Sequence, residues 1–247
     1  MSGHSKWAGI KHKKAKTDAV RARVFTKLIR EITVAARQGG ADPDANSRLR
    51  LAVQLAKGQN MPNDNILRAI KKGIGELEGA VLEEFTYEGY GPAGVALMID
   101  VVTDNRNRTI AEVRHALSKH GGKLGETGSV GWNFEMKGVI RVDASRCDED
   151  TLMDAVLEAG AEDVQEGGGL FAVYSIPGEL HKVAVALESQ NIPYESAETE
   201  RIPNTTVKLD ADDARKVLRL LEKLEDLDDV QRVSANFDIP DEILQEG

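Results

Sequence analysis

From Thr17 to Gln38 the apolar residues recur at a single spacing, and Gly39-Gly40 stops the run. Phe25, Leu28, Ile29, Ile32 and Ala36 fall at i, i+3, i+4 and i+7 intervals, which makes one stripe of an amphipathic helix. Thr17 or Asp18 can cap its start, and the glycine pair suits its end. At about 100° per residue the stripe centres opposite Arg23, and Lys27, Arg30 and Arg37 lie within roughly 40° of Arg23. One face is therefore built for a core, and the other presents four cations. Glu31 lies off the basic arc. Two shorter helices are expected next. One follows Asp42-Pro43 with Leu49, Ala52, Val53 and Ala56 inside. The other starts at Pro62 with Ile66, Leu67 and Ile70 inside and Arg68, Lys71 and Lys72 adding positive charge. The turn Gly58 to Met61 gives this pair the layout of a helix-turn-helix, but no residue marks a recognition helix.

Charge separates along the chain. The formal net charge is -9, yet residues 1–77 hold 16 Lys and Arg against 6 Asp and Glu, and the remainder holds 16 against 35. The first part thus stands at +10 and the rest at −19. Such asymmetry points to nucleic-acid contact through the basic part. Lys11, Lys13, Lys14 and Lys16 cluster beside His12 ahead of the first helix. Trp7, among basic residues, suits either stacking on a base or pinning the arm to its own domain.

Beyond residue 78 helices alternate with single strands or hairpins. Strands are expected at 84–90, 95–102, 139–142, 170–176, 194–199, 205–209 and 230–235, with a β-like stretch at 130–134 and a strand starting at 163–165. Helices are expected at 109–120, 151–159, 178–190 and 211–224. This order suits α+β sandwiches with a sheet covered on one face. Ala161-Glu162-Asp163-Val164-Gln165 and Leu227-Asp228-Asp229-Val230-Gln231 each follow a helix. The echo suggests two units of the split β-α-β kind.

Motifs for chemistry are tested and set aside. Gly89-Tyr90-Gly91-Pro92-Ala93-Gly94 spells G-x-G-x-x-G, but a strand-like run follows it rather than a helix, so it reads as a hairpin turn. Gly167-Gly168-Gly169 lacks the Lys-Ser/Thr of a P-loop. The five histidines show no metal-ligand spacing, and Cys147 has no evident base partner. No cofactor, metal or small-molecule substrate is therefore expected, and the chain is read as a non-enzyme. One cysteine forms no internal disulfide, the first residues lack an apolar signal-peptide core, and no apolar run spans a bilayer. A cytoplasmic protein with no membrane partner is the expectation. One constellation remains. Asp104-Asn105-Arg106-Asn107-Arg108-Thr109 links a strand to a helix that Asn107 or Asp104 can cap, and it places Arg106 and Arg108 in an acidic region. With His115 and Lys119 on the helix's outer face, this is either a second phosphate-contacting patch or a polar surface.

Gly3-His4-Ser5-Lys6-Trp7, the Lys-rich stretch, Phe25-Thr26-Lys27, Tyr87-Glu88-Gly89-Tyr90-Gly91-Pro92 and Asp104 to Thr109 together resemble the YebC/PmpR family. The similarity runs over nearly the whole chain. Lys123 and Gly131 depart from it, standing where Asn and Ala or Ser are expected. The resemblance implies an α+β fold in which an N-terminal three-helix domain precedes two ferredoxin-like α/β domains, one inserted in the other. On this chain the domains would be 1–77, a discontinuous 78–127 plus 204–247, and an inserted 128–203. It also implies regulation of gene expression. Family members are described as DNA-binding transcriptional regulators or as translation factors that help the ribosome through difficult sequences such as proline runs. Mitochondrial relatives are translational activators.

The expected contact residues are His4, Ser5, Lys6, Trp7, Lys11, Lys13, Lys14, Lys16, Arg21, Arg23, Lys27, Arg30, Arg37, Arg106 and Arg108. RNA at the ribosome is the first expectation for the partner, DNA the second, and a protein-only adaptor the third. Backbone contacts carry no sequence information, so these charges serve either nucleic acid.

Overall fold

The structure, a computed structural model, describes residues 18–239, with side chains from Ala22 onward. Three helices come first: α1 (Asp18–Gly39), α2 (Ser47–Gly58) and α3 (Asn63–Gly73). They close around Ile32, Ala35, Ala36, Leu49, Ala52, Val53, Ala56, Met61, Ile66 and Ala69, with Phe25, Leu28 and Ile29 at the margin. The stripe read from the sequence is the packed face, although Leu67 stands exposed. Small residues let the helices approach closely. A Cβ on Gly73 would lie 2.3 Å from the Thr33 carbonyl oxygen, so α3 ends against α1 where no side chain fits. Buried Asn46 joins the helices at the other end. Its Oδ1 accepts from the Leu49 amide at 3.1 Å and caps α2, while Nδ2 donates to the Ala35 carbonyl at 2.8 Å.

The first sheet comprises β1 (Glu83–Tyr90), β2 (Ala96–Thr103), β3 (Lys123–Leu124) and β9 (Val230–Ala235), in the antiparallel order β3-β1-β2-β9. Gly91 to Gly94 turn β1 into β2, with Ala93 at φ 56° and Gly94 at φ +76°. The literal glycine motif is thus a hairpin turn, and a following strand leaves it no helix N-terminus for a phosphate. Helices α4 (Arg106–Lys119) and α7 (Ala211–Glu225) supply Val113, Leu117, Ala214, Val217, Leu220, Leu221 and Leu224 to a core with Leu97, Ile99, Val101, Val230 and Val233. Asn105, rather than Asn107 or Asp104, caps α4, its side chain accepting from the Arg108 amide. Two short strands, β8 (Val207–Lys208) and β10 (Phe237–Asp238), pair in parallel beside this core.

The second sheet is continuous in sequence: β4 (Phe134–Asp143), α5 (Glu149–Leu157), β5 (Ala161–Gly167), β6 (Leu170–Ser175), α6 (Leu180–Ser189) and β7 (Ser196–Pro203). Its antiparallel order β5-β6-β4-β7 is the split β-α-β arrangement. Ile140, Val142, Phe171, Val173 and Ala197 face the two helices. The other face carries Val139, Ala172 and Tyr174 together with Arg141, which is only 1% exposed. A fork of two hydrogen bonds, 2.5 and 2.9 Å long, joins Arg141 to Glu200. Burial works against the Arg141 charge and the Glu200 carboxylate overrides it, so its pKa stands above the usual value. Across the sheets, Arg201 pairs with Asp100 and Arg232 with Glu198. The stretch 130–134, expected to be β-like, instead forms a short 3-10 turn over Gly131–Asn133, and the strand begins at Phe134.

Candidate nucleic-acid interface

The cationic arc of α1 faces the protein's own acidic corner between α7 and β9. Arg23 pairs with Asp226, and Lys27 donates to the Glu225 carbonyl at 2.9 Å. Arg30 reaches the Val102 and Asp228 carbonyls and binds the Asp229 carboxylate at 2.6 Å. Arg37 donates to the Leu82 carbonyl at 2.8 Å. The arc expected to meet phosphates therefore docks the helical body on the first sheet. Nearby, Arg48 binds Glu31 at 2.7 Å and Glu84 at 2.5 Å, joining α2, α1 and β1. Glu31, off the arc, thus faces Arg48 on α2.

Asp229 is the hub. It is 2% exposed and accepts from Arg30, Arg108 (2.7 Å), Thr103 (3.0 Å) and Thr109 (2.6 Å). Burial opposes its ionisation, but donation by Thr109, Arg108 and Arg30 outweighs burial and holds its pKa down at about 2. Arg108, a candidate for the second phosphate patch, is thus committed to Asp229 and to Asp104 at 3.0 Å. Arg106 lies with its guanidinium 4.6 Å from the Phe85 ring centroid. His115 and Lys119 remain exposed on α4.

His4, Ser5, Lys6, Trp7, Lys11, Lys13, Lys14 and Lys16 lie outside the described residues, and Arg21 is described only in its backbone. The cap expected at Thr17 falls outside them as well. The structure brings Arg30 and Arg108 together on one carboxylate and leaves Arg106 apart from them.

A second carboxylate organises the edge of the first sheet. Buried Glu88 accepts from the backbone amides of Gly128 (2.7 Å), Val130 (2.7 Å) and Gly131 (2.8 Å). Burial raises the cost of its charge, and the three amides more than offset that, so its pKa lies below the ordinary value. The loop they hold presents Trp132, 73% exposed. Its indole Nε1 donates to the Ser129 carbonyl at 3.1 Å, and the Tyr90 hydroxyl donates to the same oxygen at 3.2 Å. The Lys123 ammonium sits 5.4 Å from the Tyr90 ring centroid.

Among the described residues no group of three or more His, Cys, Asp or Glu is arranged to hold a metal. Burial and the neighbouring Asp148 push the Cys147 thiol pKa up, which disfavours the thiolate. No described helix is long and apolar enough to cross a membrane.

Two family models together cover the three helices and the sheets that follow them. The family model for the TACO1/YebC N-terminal domain matches residues 5–76, and that for the TACO1/YebC second and third domain matches residues 82–237. The chain belongs to the TACO1/YebC family. A relative from Halothermothrix orenii, named "Probable transcriptional regulatory protein", is 56% identical over 100% of this chain and 98% of its own length. One from Pelotomaculum thermopropionicum bears the same name and is 56% identical, covering 98% of this chain and 100% of its own. A crystal structure of a conserved hypothetical protein from Aquifex aeolicus has a TM-score of 0.87 and 54% identity, covering 94% of this chain and 96% of that one. Membership accounts for the whole architecture, helical body and both sheets together.

Sequence reasoning missed Asp229, Glu88, Arg141 and Trp132. The echo at 161–165 and 227–231 marked the corner that holds Asp229 but not its partners. Trp132 lay within the stretch read as β-like.

Proposed function

We propose that this chain is a nucleic-acid-binding regulator of gene expression that acts at the ribosome through its basic N-terminal region. The observation that carries the reading is the separation of charge, +10 over residues 1–77 against −19 over the rest. The acidic part pairs Arg23 and Arg30 with carboxylates and takes Lys27 and Arg37 on backbone carbonyls, so the contacts fall to the basic residues that precede Arg23: Lys6, Lys11, Lys13, Lys14, Lys16 and Arg21. His4, Ser5 and Trp7 accompany them. Structured RNA is read mainly through shape and backbone, which suits a set of cations without a base-reading helix. The names of the relatives support a second reading, a DNA-binding transcriptional regulator served by the same charges.

Sedimentation of the native protein in a cell lysate separates the two. Co-migration with ribosomes that survives DNase and disappears with RNase is the expected result. Release from a DNA fraction by DNase, with none on ribosomes, would overturn the ribosomal reading in favour of the DNA one.

A further inference from the structure

We propose that Trp132 is a stacking platform for an unpaired base of a single-stranded nucleic acid, with Lys123 taking an adjoining phosphate. The inference rests on the nucleic-acid reading above and adds a second contact surface, on the first sheet rather than the helical body.

A single exposed aromatic is ordinary on a protein surface and by itself means little. Trp132 differs in how it is held. The loop from Gly125 to Trp132 is anchored by the buried Glu88 carboxylate through three backbone amides, and the Gly125 amide donates to the Glu88 carbonyl at 2.8 Å. The indole itself is fixed by its bond to the Ser129 carbonyl, the oxygen that also accepts from Tyr90. Loop and ring are therefore set before a ligand arrives, while the indole remains 73% exposed. A preorganised ring loses little conformational freedom when something stacks on it.

The surrounding charge favours a nucleic acid over a protein core. Residues 105–133 hold five Lys and Arg against two Glu; Arg108 is held by Asp229 and Asp104 and Arg106 lies over Phe85, which leaves Arg114, Lys119 and Lys123 on the stretch that leads to the loop. Lys123 is joined to the platform through Tyr90, and α4 ends on exposed Lys119 just before it. An exposed aromatic with cations beside it is how single strands are commonly held, because every base offers a π-face and every linkage a phosphate.

The test uses the full chain carrying Trp7→Phe, which leaves Trp132 as the one tryptophan. The probes are an end-labelled oligouridylate of about a dozen nucleotides, long enough for a single binding site, and its DNA counterpart. Tryptophan emission and probe anisotropy are read at low salt. Quenching of Trp132 on binding is expected, by RNA, by DNA or by both, and the two arms tell which strand the platform prefers. Trp132→Ala should weaken binding about tenfold, whereas Trp132→Phe should keep most of it. Lys123→Gln should make the salt dependence shallower by about 0.7 in slope. Circular dichroism melts that match the parent confirm that the exposed substitution leaves the fold intact. Binding with unchanged Trp132 emission and unchanged affinity for Trp132→Ala would overturn the platform while leaving the nucleic-acid function standing. No binding of either oligomer at low salt would also overturn the platform, and the ribosomal reading would then stand or fall on the sedimentation of the native protein.

Discussion

Two arcs of positive charge, on α1 and along α4 into β3, meet opposite fates. The α1 arc is regular and dense, with four cations on one helical face; Arg23, Lys27 and Arg30 are spent on the protein's own acidic corner and Arg37 on the Leu82 carbonyl. The second arc is sparser, yet His115 and Lys119 stay exposed and Lys123 stands beside a fixed aromatic. Density of charge on a helix wheel does not tell which ligand the charge serves. What decides is whether an acidic surface lies within reach in the same chain, and Asp226 and Asp229, among 35 acidic residues beyond residue 77, supply it here. A helix that presents cations on one side and apolar residues on the other can dock on two surfaces of its own protein at once.

The largest effect expected on this contrast comes from Asp229. Asp229→Ala removes the acceptor for Arg30, Arg108, Thr103 and Thr109 in a site only 2% exposed. Breaking a buried pair by deleting one partner is costly, and urea unfolding should show a loss of about 3 kcal/mol. Asp163 occupies the echoing position, inside β5, but it is exposed and its carboxylate accepts from Gln165 in the same strand. Asp163→Ala should change stability by no more than about 0.5 kcal/mol. Equal losses at the two corners would mean that the α1 dock contributes nothing to the fold.

Glu88→Ala comes next. It leaves the amides of Gly128, Val130 and Gly131 without their acceptor, and a loss of about 2 kcal/mol is expected from thermal or urea unfolding. The same variant should let the Trp132 loop move, seen as a red-shifted emission in the Trp7→Phe background. Stability lost with emission unchanged would show that Glu88 supports the sheet but does not position the ring.

Acid should loosen the α1 dock specifically. The folded pKa of Asp229, about 2, lies below its ordinary value of 3.8. A depressed carboxyl contributes stability that is present above the unfolded pKa and lost as pH falls through the folded one. The loss should therefore develop between about pH 4 and pH 2, and after allowance for screening it should amount to about 1 to 2 kcal/mol. Asp229→Asn should flatten the stability profile in that window. A profile as steep as the parent's would place the titration on other carboxylates.

Much of this was legible in the sequence. Helical spacing placed α1 and its buried Ile32 and Ala36, the strand at 230–235 fell on its observed bounds, and the glycine-rich 89–94 stretch was read as a turn. These are local properties, set by periodicity and turn chemistry. The carboxylates that Arg23, Arg30 and Arg108 reach on the acidic corner were not legible, because Asp226 and Asp229 lie more than a hundred residues away and nothing in the local pattern selects them. Trp132 was hidden for another reason. Val130 to Phe134 has the composition of a strand, but Glu88 captures the backbone amides of Val130 and Gly131, and so bends the chain into a turn.

The smallest effect should come from Arg23, and it tests how the α1 dock divides its strength. Arg23 and Asp226 pair at the open end of the corner, with side chains 45% and 41% exposed, whereas Arg30 is 19% exposed and meets a buried carboxylate. Water already solvates both members of the outer pair, so Arg23→Ala should cost no more than about 0.5 kcal/mol and the difference should fade in high salt. Arg30→Ala strips charge-assisted donors from Asp229 and two carbonyls and should cost several times as much. A ratio near one would mean that the arc acts as a diffuse field. A large ratio would mean that α1 is held mainly by the buried contact of Arg30 with Asp229.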